Sequence, residues 1–234
     1  MGVVVEHHHR NIQGGAARAA VFGVSDGLVS NLALVLGMAG AGPAPSVVRL
    51  AGLVGLVGGA FSMAAGEYVS MKAQQELLER ELDIERVEIA RRPENERREL
   101  AQIYRNRGVA GDVADRLATE MMADPELALE THAREELGID PGELGSPSHA
   151  AGSSFVAFAV GALVPVLPWF LGRGGGAVVA SIAFGAVAAV VIGVLLARFT
   201  ERPVLPSALR QLVIAALASG VPYAIGSLVG VAVS

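Results

Sequence analysis

The sequence predicts an all-α integral membrane protein of five transmembrane helices, with a helical cytoplasmic domain inserted between the second and third. Three observations carry that prediction. Of 234 residues, 52% are hydrophobic and only 18% charged, with a mean hydropathy of +0.49; a soluble domain of this length carries more charge and spreads it along the chain. The charge is also segregated. Residues 72–149 hold 11 of the 18 Lys+Arg and 19 of the 23 Asp+Glu, a net of −8, leaving +3 for the rest. Finally, five apolar runs reach the roughly 20 residues that cross a hydrocarbon core: 20–41, 47–71, 150–172, 176–198 and 206–232.

Residues 1–19 read as a cytoplasmic tail. Its opening, MGVVVEHHHRNIQGG, has acidic and His residues where a signal peptide has a basic stretch. The apolar run that follows continues past any plausible cleavage point, so it is expected to be a retained helix. The triplet His7-His8-His9 is either a tag remnant, though short for one, or a loose metal-collecting tail. Residues 20–71 hold the first two spans. Like the later ones they are rich in Gly, Ala, Val and Leu, as befits helices whose backbones approach closely. Gly55/Gly59 and Gly226/Gly230 have the GxxxG spacing, which serves either packing within the chain or a contact between two chains.

Residues 72–147 read as helices throughout. The segment AQQELLERELDIERVEIARR carries few breakers and continues from the second span. Pro93 stops it and opens a second helix, to about Arg107. A third is expected over about 112–123 and a fourth from Pro125 to the Gly138-Ile139-Asp140-Pro141-Gly142 stop signal. Residues 148–234 hold spans three to five. Orientation follows from the basic residues. With the N-terminus cytoplasmic, 16 Lys and Arg lie inside, and only Arg49 and Arg173 lie outside. The acidic domain is then cytoplasmic and the C-terminus faces out, in a multi-pass protein of the cell membrane.

With no cysteine, disulfides, thiolate metal sites and cysteine nucleophiles are excluded. The candidates for chemistry are carboxylates. Asp26 lies inside the first span, where a carboxylate is costly and by default marks function. Met63 and Glu67 lie four apart, on one face of the second span. At ~1.5 Å per residue, Asp26 and Met63 both sit roughly 9–12 Å in from the cytoplasmic side. Spans three to five contain no interior ionisable residue. An acid and a thioether at one depth suit a divalent transition metal, because soft sulfur disfavours Mg²⁺ and Ca²⁺ relative to Fe²⁺. Taken singly, Met63 reads as packing, Glu67 as an interfacial acid paired with Lys72, and Asp26 as a cap in a broken helix. In the acidic domain, Glu85/Glu88 and Glu96/Glu99 form two i,i+3 pairs across the Pro93 break. His132 and Glu136 add an i,i+4 pair. Imidazole with carboxylates fits Fe²⁺, Mn²⁺ or Zn²⁺; the plain alternative is a solvated surface in which Arg86, Arg91, Arg92, Arg97 and Arg98 neutralise the acids.

The segments VFGVSDGLVSNLALVLG and GGAFSMAAGEYVSMKAQQE resemble the vacuolar iron transporter family, and ETHAREELGIDP and the run from Phe155 to Pro168 look like its bacterial branch. The resemblance covers residues 14–234. It implies a homodimer of five-helix protomers that moves Fe²⁺, often Mn²⁺, out of the cytoplasm in exchange for protons. The pathway is then at the dimer interface, with a cytoplasmic metal-binding domain beneath it. The transport Asp and Met of the family match Asp26 and Met63, and its metal-binding glutamates match Glu85, Glu88, Glu96, Glu99 and Glu136. Where eukaryotic relatives have a Met pair, this chain has His132 and Ala133. Glu67 belongs to the GEYVS motif. No cofactor is expected, since the metal is substrate. The competing reading is a membrane-anchored metal sensor or scaffold that does not conduct. No nucleophile–base pair, HExxH or paired intramembrane aspartates point to an enzyme, and an acidic domain does not suit nucleic acid.

Overall fold

The computed structural model describes residues 15–138, 140 and 145–233, and every regular element among them is a helix. The elements are α1 (Gly15–Gly40), α2 (Pro45–Arg91), α3 (Pro93–Asn106), α4 (Gly111–Met121), α5 (Pro125–Glu135), α6 (Pro147–Leu163), α7 (Pro168–Leu171), α8 (Gly174–Phe199) and α9 (Val204–Val233). His7, His8 and His9 lie outside the described residues. The chain divides into two compact units, Met1–Met71 with Ser146–Ser234, and Lys72–Gly145.

In the first unit α1 is the hub, packed against α6, α8 and α9. Lipid tails are as apolar as leucine, so such helices associate through close packing rather than burial from water. The sequence provides for this with small residues at the crossing of α1 and α6. A Cβ at Gly27 would collide with the backbone of Phe158, and one at Gly161 with the carbonyl of Val24. Leu28, Leu32 and Leu36 fill the other side of α1 against Ala189 and Ile192 of α8 and Ala215 of α9. Both GxxxG pairs are used within the chain: Gly226 and Gly230 receive the carbonyls of Gly37 and Ala41, and Gly59 receives the ring of Phe158. Large apolar side chains such as Leu171, Val179 and Leu228 cover the outside.

Among the described residues, four helices are long and apolar enough to cross a membrane: Ala19–Gly40, Pro45–Arg91, Gly174–Phe199 and Val204–Gly230. The predicted third span, 150–172, is not one helix. It is divided into α6 and the single turn α7 by Pro165 and Pro168, because proline has no N–H to continue the ladder. The intervening turn is tightened by N–H groups of Val166 and Leu167 that both donate to the Leu163 carbonyl, at 3.0 and 3.1 Å. In hydrocarbon a freed carbonyl needs a partner within the protein. Ser181 of α8 donates to Pro165 O at 2.8 Å, and Trp169 Nε1 donates to Ser181 Oγ at 3.1 Å.

The second unit comprises α3, α4, α5 and the end of α2. Pro93 and Pro125 sit at the first positions of α3 and α5, where the missing N–H is harmless. Asp124 caps α5, its carboxylate accepting from the N–H groups of Glu126 and Leu127 at 2.8 and 3.2 Å. Gly108 ends α3 with φ of 91°, a conformation that favours glycine. Leu100, Ala101 and Tyr104 of α3 bury against Ala114 and Ala118 of α4. Arg107 pairs with Glu135, tying the end of α3 to the end of α5.

Candidate functional site

Two clusters of polar residues stand out, one in each unit. In the second unit, Glu85 comes from α2, His132 from α5, and Glu136 from the residue that caps α5. His132 Nδ1 lies 3.1 Å from Glu85 Oε1 and 3.5 Å from Glu136 Oε2. One ligand atom from each of the three residues falls within 4.8 Å of the others, the spacing of a set able to hold a metal ion. His132 is fully buried and Glu85 is 5% exposed. Glu85 Oε1 has no hydrogen bond of good geometry and His132 Nε2 has no partner, so the polar demand of the cluster is not met by the described residues.

The two expected glutamate pairs are split by burial. Glu85 and Glu96 are buried, while Glu88 and Glu99 are exposed. The exposed pair nonetheless bears on the buried one. Burial, followed by the charges of Glu136, Glu96, Glu88 and Glu99, pushes the Glu85 carboxyl up to about 7. Burial and then Glu99 likewise raise Glu96, with His132 opposing. Three of the five arginines expected to neutralise these acids are engaged elsewhere: Arg86 with Asp83, Arg97 with Glu94 and Asp115, and Arg98 with Glu94 O and Asn95. Among the described residues no arginine pairs with Glu85, Glu88, Glu96 or Glu99. Mutually repelling, partly buried carboxylates around an imidazole are what a dication stabilises, since it replaces protons and repulsion at once.

In the first unit, Asp26 and Met63 line a single cavity of about 360 Å³. Ser30 and Asn31 of α1, Ser62 of α2 and Phe158 of α6 complete its polar and apolar walls, with Gly55 and Gly59 opening room on the α2 side. Asp26 is exposed on the outside of its helix, and its carboxylate has no partner among the described residues. The Ser30 hydroxyl donates to the Asp26 backbone carbonyl at 2.6 Å. Glu67 is half-buried one turn beyond Met63 and is not part of the cavity wall; Lys72 pairs with Glu76.

Asn31 escaped the sequence reading, which followed ionisable groups and sulfur. It is 2% exposed. Its side-chain amide donates to Ala162 O of α6 at 2.6 Å and to Gly52 O of α2 at 3.1 Å, joining three helices. Its Oδ1 is buried without a partner, an omission that in a protein interior costs about 1–3 kcal/mol. The available signal was an amide inside an apolar run, where every polar group needs an explanation.

Long apolar helices with an acid-rich helical unit define this chain as a multi-pass α-helical membrane protein. Comparison with known proteins narrows the class. The chain matches the VIT family over residues 17–227 and belongs to it. It is similar to Vacuolar iron transporter 1 of Tulipa gesneriana, 34% identical over 214 residues that cover 91% of this chain and 86% of that one. It is also similar to Vacuolar iron transporter 1 of Arabidopsis thaliana, 31% identical over 232 residues, or 97% and 92% of the two chains.

Proposed function

We propose that the protein transports a divalent transition metal, Fe²⁺ and also Mn²⁺, out of the cytoplasm in exchange for protons. The observation that carries this reading is the cavity in which Asp26 and Met63 meet. They come from different helices, 37 positions apart in the chain, and a carboxylate with a thioether is a donor pair for a borderline dication rather than for Mg²⁺ or Ca²⁺. Membership of the VIT family and the names of its iron-transporting relatives support the substrate class.

On this reading Glu85, His132 and Glu136 collect the ion on the cytoplasmic side, with Glu88, Glu96 and Glu99 adding negative charge. The ion then passes to Asp26 and Met63. Asp26, or Glu67 one turn away, takes up a proton on the return, since one carboxylate does not serve a metal ion and a proton fully at the same time. The five-span topology is kept, with α6, the proline turn and α7 together making the third crossing. At ~1.5 Å per residue, the 17 residues of α6 span about 25 Å, and the turn and α7 supply the remainder of a core about 30 Å thick. The basic residues favour a cytoplasmic N-terminus and acidic domain and an external C-terminus. A homodimer is supported by Asp26 itself, because an exposed carboxylate on a membrane helix is costly against lipid and tolerable against a second protomer or a water-filled path.

The test is flux in proteoliposomes containing a metal-quenched dye and a pH-sensitive dye. Metal entry coupled to an opposite proton movement supports transport. Metal binding without flux makes the protein a sensor or scaffold instead.

A further inference from the structure

We propose that Asn31 is a third ligand of the membrane cavity, presenting its amide oxygen to the passing dication. The inference rests on the transport reading above and deepens it, since it concerns which groups line the path. Four observations lead to it. The amide orientation is determined without reference to any ligand: both partners of the side-chain nitrogen, Gly52 O and Ala162 O, are backbone carbonyls that only accept. The NH₂ group must therefore face them, and the oxygen must face the other way. That oxygen has no partner although the residue is 2% exposed. Asn31 lines the same cavity as Asp26 and Met63. On the α2 wall of that cavity stands Gly55, where a Cβ would lie 2.6 Å from Asn31 Oδ1. A side chain at position 55 would press on the oxygen, and glycine keeps the α2 wall clear of it.

A tie between three helices needs only the donor half of the amide. Ala162 O belongs to the last turn of α6, whose carbonyls lack helical partners, and Asn31 satisfies it. The donor half is thus accounted for by the fold, and the acceptor half is not. An amide oxygen is a neutral, hard donor of the kind that suits Mn²⁺. It adds affinity without adding charge. Asp26 can then release the ion by taking a proton, with no second carboxylate left behind to retain it. Asn31 is five residues past Asp26, or about 7–8 Å further along α1, so its oxygen serves the deeper side of the cavity.

Asn31→Leu removes both halves of the amide at similar volume. Asn31→Asp removes the donor half and keeps an oxygen ligand. The full chain in proteoliposomes is assayed for Mn²⁺ flux, with wild type and Asp26→Ala as references. The expected result is a KM raised about tenfold in Asn31→Leu, equivalent to ~1.4 kcal/mol, and within about threefold of wild type in Asn31→Asp. Equal KM shifts in the two variants, or a lowered melting temperature with unchanged KM, reduce Asn31 to a structural tie and overturn the proposal. Should Asn31→Leu fail to fold, the decision falls to the melting shift that Mn²⁺ produces in detergent, measured in Asn31→Asp with Glu85→Gln and Glu136→Gln also present to silence the other cluster. A shift retained supports the ligand, and a shift lost overturns it. Absence of flux in wild type, or full flux in Asp26→Ala, removes the transport reading and this inference together. Intact, Asp26-dependent flux with indifferent Asn31 variants removes the inference alone.

Discussion

The two clusters are built on opposite electrostatic plans. The one in the acidic unit sets buried Glu85 and Glu96 beside a buried histidine, with the negative charges of Glu88, Glu99 and Glu136 acting on both. The one between the apolar helices has a single carboxylate, a thioether, two hydroxyls and an amide. The difference reflects the medium. Near water, extra charge is screened and affordable, and surplus negative charge raises the local concentration of dications. Within a bilayer each charge is costly, so an ion must be held by one charge and several neutral donors. On the transport reading proposed above, a capture site and a transit site call for different chemistry even for the same ion.

The largest test of that contrast is Asp26→Ala. Removing the one charge among the described residues that line the membrane cavity should lower metal flux at least about a hundredfold, roughly 2.7 kcal/mol in the barrier. The melting temperature should hold, since the carboxylate has no partner among the described residues. Flux that survives this change would dissolve the distinction between the two sites. Next is Glu85→Gln. Metal affinity measured calorimetrically should fall by at least the roughly 10–100-fold that loss of a supporting partner costs a metal site. The apo protein should become more stable near neutral pH, because a repelled carboxylate has gone.

The pH dependence sharpens the comparison further. Glu85 is raised from 4.5 to about 7 in the folded state. The folded apo protein thus binds a proton that the unfolded chain has already lost over this interval. Its contribution to stability is full below pH 4.5 and declines as pH rises toward 7. Apo melting temperatures should fall between pH 5 and 7.5, and saturating Mn²⁺ should reverse the trend, since metal affinity grows as the proton leaves. Glu85→Gln should flatten both curves. The smallest effect is expected from Met63→Leu, a volume-conserving change worth less than about 1.5 kcal/mol in stability. It should shift flux a few-fold toward Mn²⁺ relative to Fe²⁺ by removing the soft donor; an unchanged ratio would leave Met63 as packing alone.

Much of this molecule was legible along the chain. Proline and glycine marked the ends of α3 and α5 because their backbone constraints are local. The meeting of Asp26 and Met63 followed from counting residues at a constant rise, which works for helices of known direction. Glu67 shows where such counting stops. It shares a helical face with Met63 in the ideal periodicity, yet the cavity wall ends a turn short of it. The glutamate pairs show the same limit, since i,i+3 spacing did not indicate that only Glu85 and Glu96 would be buried.

By itself, the sequence determined what each segment is: apolar helix, acidic helix or turn, and which residue types are able to hold a dication. Those properties depend on hydropathy, periodicity and side-chain chemistry, all of which are local. Only the tertiary structure decided which donors converge. The His132 contact with Glu85 joins residues on separate helices, the break in the predicted third span is closed by Ser181 of α8, and the free oxygen of Asn31 exists because two carbonyls from α2 and α6 claim its nitrogen. Each of these depends on the approach of segments far apart in the chain, which is a matter of packing.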